Sequence, residues 1–358
     1  FFETGLSIAM GAMKDYLFAP ERFRMGLEQV KQAIHFGGHT TIGDMAVPLN
    51  DLDAEWPALL DVIERDDTPF RMQMIPRAIE RGGSLGREQD QVERVRALAT
   101  RNTHRLKFQN GVKIFTDGGF FAELMQLQEP GFIDGHHGEW LTPPEIAEGL
   151  ARAFWHDGKR IHVHCTGDLG VELALDILEK LQFERPRFNH RFTIEHFGVS
   201  TPEQVRRIAD LGALVSANIY YLYELGDAYW KHSIGYERAA QMARLGTLAR
   251  HSVTTALHSD FTMAPALPLN SAWVAVNRLS ESGEVLAPQE CLTIDQAMRA
   301  ITVDAAYVLG MENEVGSIRA GKKADFTILA ADPYETAPTD LRDIPIWGTV
   351  FEGRPASL

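Results

Sequence analysis

The sequence predicts an α/β protein whose parallel strands form a (β/α) barrel, and three observations lead to this class. Seven short apolar or β-branched runs are each followed by a longer segment, and most of these segments carry helical signals. Strands that alternate with helices at this spacing form parallel βα units, and one long series favours a barrel over an open sheet. The glycine-rich turn that open dinucleotide-binding sheets often carry is absent from the sequence.

The predicted strands are short runs rich in β-branched and aromatic residues. In chain order they are His39–Met45, Phe70–Pro76, Val112–Thr116, Arg160–Cys165, Arg191–Phe197, Ala213–Ile219 and Thr254–Asp260. A barrel of this class needs eight strands, so this count leaves one strand unaccounted for.

The predicted helices lie between and after these strands. Glu88–Ala99 is charged and amphipathic, and Pro143–Phe154 follows a Thr-Pro-Pro start. Thr201–Leu211 begins in the sequence Ser-Thr-Pro-Glu, which is typical of a helix N-terminus. The remaining predicted helices are Gly170–Leu181, Tyr236–Leu248 and Ala297–Leu309.

The character of the sequence changes after the last predicted helix. Gly316–Leu329 and Ile346–Arg354 are short strand-like segments with glycine turns. They predict short antiparallel strands that form a small β appendage rather than another βα unit.

Composition and charge narrow the range of partners. The 358 residues include 35 Lys and Arg against 49 Asp and Glu, so the net charge is −14. A surface of that sign repels phosphate backbones and anionic lipids, so nucleic-acid and membrane partners are not expected. Two cysteines cannot form a disulfide framework, which favours a reducing, cytoplasmic location. A small-molecule substrate is the expected partner.

Ionisable residues fall inside or at the ends of the predicted strands. They are Lys113, His162, His164, His196 and Asp260. In (β/α) barrels the C-terminal strand ends form the active-site face, so such groups converge although they are distant in sequence. Imidazole and carboxylate are typical ligands of Zn²⁺. A single strand histidine is more often a packed core residue, but three metal-competent residues at three strand ends favour a metal site.

Strand alternation separates the candidates by depth. His162 and His164 point to the same face of their strand, whereas Cys165 points to the other face. His164 is then nearer the rim and is the better ligand candidate, while His162 fills or supports the interior. By the same parity His258 lies one layer below Asp260, where it supports the ligands or simply packs.

Four motifs in a fixed order resemble those of the amidohydrolase superfamily, most closely its amidohydrolase-3 branch of N-substituted formamide deformylase-like metal-dependent hydrolases. The motifs are VKIFTDGG around Lys113, HVHCTGD around His164, RFTIEHF around His196 and HSD at Asp260. The C-terminal stretch LTIDQAMRAITVDAAYVLGMENEVGSIRAGKKADFTILAADP and the later GTVFEGRP extend the resemblance.

The resemblance implies a TIM-like (β/α)8 barrel with a small β-sandwich built from both chain ends. It implies that Lys113 is carboxylated and bridges two metal ions. It also implies that His164 and His196 bind one ion and that Asp260 binds the other and transfers the proton. The implied cofactor is a divalent metal, most simply one or two Zn²⁺ ions.

The sequence departs from this family pattern at its beginning. The His-x-His pair of the family's first strand is missing, and His136 and His137 look like it but follow the lysine motif. The expectation is therefore an N-terminally truncated barrel that lacks its first strand, in residues 1–315, followed by the C-terminal part of the β-sandwich in residues 316–358. The unpaired strand edge would favour association with another chain, so a homo-oligomer is a further expectation.

The expected function is metal-dependent hydrolysis of a non-peptide, amide-like carbon–nitrogen bond through a metal-activated water. Asp260 would be the general acid and base. The alternative is a noncatalytic or inactive fragment, because the His-x-His ligands are missing. Lys113 also has an alternative, since an uncarboxylated ammonium would repel a metal and would instead pair with Asp117.

Several further residues are candidates for contact with substrate or for support of the ligands. Asp168 could orient His164 or contact substrate, and a helix N-cap is an equal alternative. Asn218 occupies a position where the branch often has glutamine, and substrate contact is one interpretation of it. An aromatic cluster after it forms either a pocket wall or a packed core of its own, and consists of Tyr220, Tyr221, Tyr223 and Trp230.

Overall fold

A computed structural model describes residues 4–79 and 87–358. The described chain divides into two compact units. The first contains the residues up to Ile114 together with Lys323–Leu329 and Ile346–Leu358. The second contains Phe115–Lys322 and Ala330–Pro345. Each unit has its own strands.

The first unit contains a parallel sheet with helices between its strands. Its strands are paired in the order β1–β2–β3, with Thr41 opposite Arg71 and Met72 opposite Leu106. A core of apolar side chains, including Ile34 and Phe70, lies against this sheet. In chain order the elements are α1 (Thr4–Leu17), α2 (Pro20–Phe36), β1 (Thr41–Val47), α3 (Leu52–Ile63), β2 (Arg71–Pro76), α4 (Glu88–Leu98), β3 (Leu106–Phe108) and β4 (Gly111–Phe115), which crosses into the second unit.

Three C-terminal strands form an antiparallel sheet in the first unit. They are β9 (Phe326–Leu329), β10 (Ile346–Phe351) and β11 (Arg354–Ser357), paired in the order β11–β10–β9. Antiparallel strands are thus present where the sequence predicts them. The predicted domain boundary between residues 315 and 316 stays a prediction.

A buried ion-pair network joins β2 to these C-terminal strands. The Arg71 guanidinium, of which 2% is exposed, donates to Asp325 Oδ2 at 2.5 Å and to Glu352 Oε1 at 3.1 Å. Lys323 Nζ also donates to Glu352 Oε1, at 2.9 Å. Burial raises the pKa of Glu352, but hydrogen bonds from Lys323 and Arg71 outweigh it and lower the pKa to about 2.

This network makes the free energy of unfolding depend on pH in the acid range. The folded-state pKa of Glu352 lies below the ordinary value of 4.5, so its contribution is present above about pH 4.5 and is lost as the pH falls towards about 2. We expect Glu352→Gln to lower the free energy of unfolding by roughly 2–3 kcal/mol near neutral pH. We also expect the free energy of unfolding of this variant to fall less steeply than that of the wild type as the pH is lowered. Urea unfolding at several pH values measures the effect, with the exposed Glu335→Gln as control. If the free energy of unfolding changed equally steeply with pH in Glu352→Gln and in the wild type, the prediction would be wrong.

The second unit has the parallel α/β architecture that the sequence predicts. Its strands are paired in the order β5–β6–β7–β8 with helices between them, and Thr116 N, after β4, donates to the carbonyl of His164 in β5 at 3.2 Å. The elements are α5 (Pro144–His156), β5 (Arg160–Cys165), α6 (Asp168–Glu184), β6 (Thr193–His196), α7 (Pro202–Leu211), β7 (Leu214–Ala217), α8 (Tyr220–Ala228), α9 (Tyr236–Ala239), α10 (Leu245–Arg250), β8 (Thr255–Leu257), α11 (Pro268–Asn277), α12 (Ile294–Ala300) and α13 (Val303–Leu309).

A capping motif marks the beginning of α7, and the strands beside it are buried. Thr201 caps α7 through Gln204 N, and the Gln204 side chain bonds back to the Thr201 backbone. Every residue of β6 and β7 is buried, as expected for a parallel sheet that is covered on both faces. Within the described residues, no helix is both long and apolar enough to cross a membrane. The parallel α/β class is confirmed.

Two predicted helices need correction, and one strand was not predicted. The helix predicted over Tyr236–Leu248 is two helices, because the chain turns at Ala243, whose φ is 46°. The helix predicted over Ala297–Leu309 is also two, α12 and α13, which are interrupted at Thr302 (φ −132°, ψ −87°). The short parallel strand β3 was missed, because three residues are too few to show a period.

Candidate functional site

Two histidines predicted as metal ligands lie side by side at the ends of adjacent strands. β5 and β6 are parallel neighbours, with Cys165 opposite His196. The rings of His164 and His196 therefore approach to 4.4 Å between centroids, with their planes at 63°. Both residues are nearly buried, at 8% and 7% exposed. The structure brings the two imidazoles together, and their role as ligands stays a prediction.

Asp260 and His258 follow the end of β8, and both lie beside His196. The Asp260 carboxylate Oδ2 lies 3.9 Å from Nδ1 of His196, and 44% of this side chain is exposed. The His258 ring lies 5.0 Å from the His196 ring, nearly perpendicular to it at 73°. Three strand ends thus supply three imidazoles and one accessible carboxylate to one cluster.

The backbone at this cluster is strained. His196, Phe197 and Asp260 have φ values of 73°, 51° and 54°, in the left-handed region that residues other than glycine rarely adopt. Such a conformation costs about 1–3 kcal/mol per residue and persists where the surrounding structure holds it, most often at functional sites. The strain turns the chain sharply at the ends of β6 and β8, where the candidate ligands lie.

A buried acid–imidazole pair lies within the same strands. Nδ1 of His162 is 2.6 Å from Oε1 of Glu195, and both side chains are almost completely buried. Strand alternation predicts His162 in the interior, but Glu195 is not among the predicted site residues. The available signal was a charged residue inside the apolar strand run FTIEHF. The predicted supporting role of His162 stays a prediction.

The side chains of Asp168 and Asn218 both have hydrogen-bond partners within the protein. The Asp168 carboxylate pairs with Arg238 Nη2 at 2.7 Å and accepts from Gln128 N at 2.8 Å. Asp168 is the first residue of α6 and not its cap, which is Gly167. Asn218 is completely buried, and its Oδ1 accepts from Tyr220 N at 3.1 Å. Their predicted contacts with His164 or substrate stay predictions.

Of the four aromatic residues predicted to cluster after β7, Tyr221 and Trp230 belong to a packed core that also contains Phe120 and Tyr229. Phe120 stacks on Tyr221 at 4.1 Å and on Tyr229 at 4.6 Å between ring centroids. The Tyr221 hydroxyl lies 3.5 Å from Nδ1 of His196. Burial raises the pKa of Tyr221 well above its ordinary value, so the phenol is neutral beside the histidine. Of the two interpretations, the structure favours the packed core.

Asp117, which follows β4, is a second acid that was not predicted as a site residue. It is completely buried. Burial raises its pKa to about 6, against the opposing hydrogen bonds from Thr166, Gly167 and Gln126. A buried acid with a raised pKa beside a cluster of histidines is a common feature of functional sites.

Lys113 lies in β4, in the part of that strand that belongs to the first unit. It is 3% exposed, and its strand forms a parallel bridge with Arg77. The Lys113 carbonyl accepts from Ala78 N at 2.8 Å. Its predicted role as a carboxylated metal ligand stays a prediction.

The donor types of the cluster suit a divalent ion of the zinc class. In the part of the chain that the structure describes, no group of three or more His, Cys, Asp or Glu side chains is arranged to hold a metal ion by itself. The chemistry of the set nevertheless fits, because two imidazoles and a carboxylate are a common zinc ligand combination. The Asp260 side chain is 44% exposed and lies 3.9 Å from His196, beside the two imidazoles.

This chain resembles several solved structures and curated proteins. A metal-dependent hydrolase from Pyrococcus horikoshii superposes with a TM-score of 0.72 at 20% identity, over 90% of this chain and 62% of that one. The N-substituted formamide deformylase of Arthrobacter pascens is 27% identical over 242 residues, which are 68% of this chain and 44% of that protein. Protein LONG AFTER FAR-RED 3 of Arabidopsis thaliana is 28% identical over 235 residues, 64% of this chain and 40% of that protein.

The matched region is therefore less than half the length of these two curated relatives. A model of the amidohydrolase family matches residues 3–356, which is nearly the whole chain. The chain belongs to the amidohydrolase family.

Proposed function

We propose that this chain is a metal-dependent hydrolase that cleaves a non-peptide carbon–nitrogen bond of an amide-like substrate. The observation that carries the proposal is the meeting of His164, His196 and Asp260 at the ends of three parallel strands. Family membership and the similarity to an N-substituted formamide deformylase support the same chemistry.

His164, His196 and Asp260 would hold the metal ion, with Zn²⁺ as the best match to imidazole and carboxylate donors. Lys113 remains part of the proposal on the sequence resemblance. When bound, the ion would make a water molecule acidic and polarise the substrate carbonyl.

Asp260 is the residue that would move the proton. Its carboxylate is the accessible acid of the cluster, and His196 lies beside it at 3.9 Å. It would accept a proton from the attacking water as the new carbon–oxygen bond forms. It would then return the proton to the nitrogen as the carbon–nitrogen bond breaks, so water is consumed and an amine is released.

Metal content and hydrolysis together test the proposal. The purified chain is stripped with a chelator, reloaded with zinc and assayed on N-substituted formamides and other small amides. We expect about one or two zinc ions per chain and hydrolysis that disappears on stripping and returns on reloading. No zinc uptake, or zinc uptake without hydrolysis of any amide, would favour the noncatalytic alternative.

A further inference from the structure

The Asp117 carboxylate connects two loops next to the candidate site. Its Oδ1 accepts from Thr166 N at 3.0 Å, and its Oδ2 accepts from Gly167 N at 2.7 Å. Oδ2 also accepts from Gln126 N at 3.1 Å. One buried acid therefore holds the loop that follows β5 against the loop that follows β4.

These contacts require a carboxylate and not merely a side chain of that size. Both oxygens accept backbone N–H groups, and Thr166 Oγ1 lies 3.1 Å from Oδ2. An asparagine would place its own N–H₂ group against a backbone N–H in either orientation, because an amide has only one accepting oxygen. The buried N–H groups would then lose their acceptor, which is costly in a dry interior.

Asp117 also occupies the N-terminal end of α6. Gly167, the cap residue of this helix, donates its own N–H to Asp117. Gln126, the next loop residue held by Asp117, accepts from Leu169 N through its carbonyl at 3.1 Å. A negative charge at this end is favoured by the helix dipole. A Cβ atom on Gly170 would lie 2.5 Å from Asp117 Oδ1, so glycine at this position makes room for the carboxylate.

The same network surrounds His164. Thr116 Oγ1 donates to the His164 carbonyl at 2.5 Å, and Thr166 Oγ1 lies 2.5 Å from the carbonyl of Gly118. That Gly118 carbonyl in turn is 3.5 Å from Nε2 of His164. Asp117 is adjacent to both Thr116 and Gly118 in sequence and bonds to Thr166 in space. It therefore sets the position of the groups that contact both the backbone and the ring of His164.

We propose that Asp117 is a positioning residue that holds His164 in the orientation needed to bind a divalent cation, a role that rests on the proposed function. Through Thr166 it places the Gly118 carbonyl opposite Nε2 of His164. A proton held on Nε2 makes Nδ1 the basic nitrogen of that ring and fixes its direction.

Zinc affinity of the full chain tests this role, measured by competition with a chromophoric chelator. We expect Asp117→Asn to weaken zinc binding by about 10–100-fold, the usual effect of removing a group that orients a metal-binding histidine. Glu290→Gln is the matched control. Glu290 is also buried, at 2% exposed. Its carboxylate accepts from Thr247 N at 2.7 Å, and its hydrogen-bond partners Thr247 and Arg250 do not belong to the histidine cluster. Both variants should lower the melting temperature, but only Asp117→Asn should weaken zinc binding.

Thr166→Val covers the case in which Asp117→Asn does not fold. It removes one hydroxyl from the network and keeps the shape of the side chain, so a several-fold weaker zinc affinity is expected. Wild-type zinc affinity in folded Asp117→Asn, or in Thr166→Val if the first variant does not fold, would overturn the proposal while leaving the hydrolase intact. A wild-type chain that binds no zinc would overturn the proposed function and this role with it.

Discussion

Replacing Asp260 by asparagine is expected to lower the turnover of an amide substrate by about 10²–10⁴-fold, because the amide cannot accept and return the proton. The fold should survive. Asp260 has a φ of 54°, and asparagine is one of the few residues that tolerate this left-handed conformation. The side chain is also 44% exposed, so no buried group loses its partner.

The measurement is turnover at saturating substrate, with zinc content and melting temperature recorded on the same preparation. Asp227→Asn is a suitable control, because the Asp227 carboxylate accepts from Ser280 and Ser282 and lies outside the cluster of strand ends. If zinc content matches the wild type and turnover falls only in Asp260→Asn, the loss belongs to proton transfer. Turnover within a factor of about three of the wild type would remove Asp260 from the mechanism.

Removing the His164 imidazole is expected to weaken zinc binding by more than about 100-fold, because the loss of a ligand exceeds the loss of a group that only supports one. His196→Ala should have an effect of the same size, since the two rings lie 4.4 Å apart and would bind the same ion. Equilibrium dialysis followed by elemental analysis gives the zinc content of each variant.

His190→Ala controls for the loss of a buried imidazole as such. His190 is 2% exposed and lies before β6, at the opposite end of the strand from His196. Its Nε2 is 3.1 Å from the Leu211 carbonyl and its Nδ1 accepts from Phe192 N, so its substitution should cost stability. Zinc binding should remain at the wild-type level. Wild-type zinc uptake by a folded His164→Ala protein would contradict the ligand assignment.

The parallel strands and the neighbouring positions of His164 and His196 could be predicted because both depend on local patterns. The short runs RIHVHC and RFTIEHF, each followed by a longer segment with helical signals, mark β5 and β6 in the sequence. Strands that are consecutive in a βα series are usually neighbours, so the ends of these two were expected to meet.

The helix predicted over Tyr236–Leu248 failed for a reason that lies elsewhere in the chain. Arg278 is completely buried and donates to the carbonyls of Ala240 and Met242 at 2.9 Å each. These carbonyls would otherwise accept from the next turn of the helix. The local sequence favours a continuous helix, but a guanidinium from a distant segment binds the carbonyls and ends it.

The α/β class, the family and the types of donor at the strand ends can be recognised from the sequence, because strand periodicity and short motifs are local properties. The tertiary structure alone decided which groups support those donors. His162 contacts Glu195, which is 33 residues away in the sequence, and Gly167 donates to Asp117, which is 50 residues away. Such pairs depend on the course of irregular loops and on the exclusion of water around a buried acid, neither of which leaves a periodic signal in the sequence.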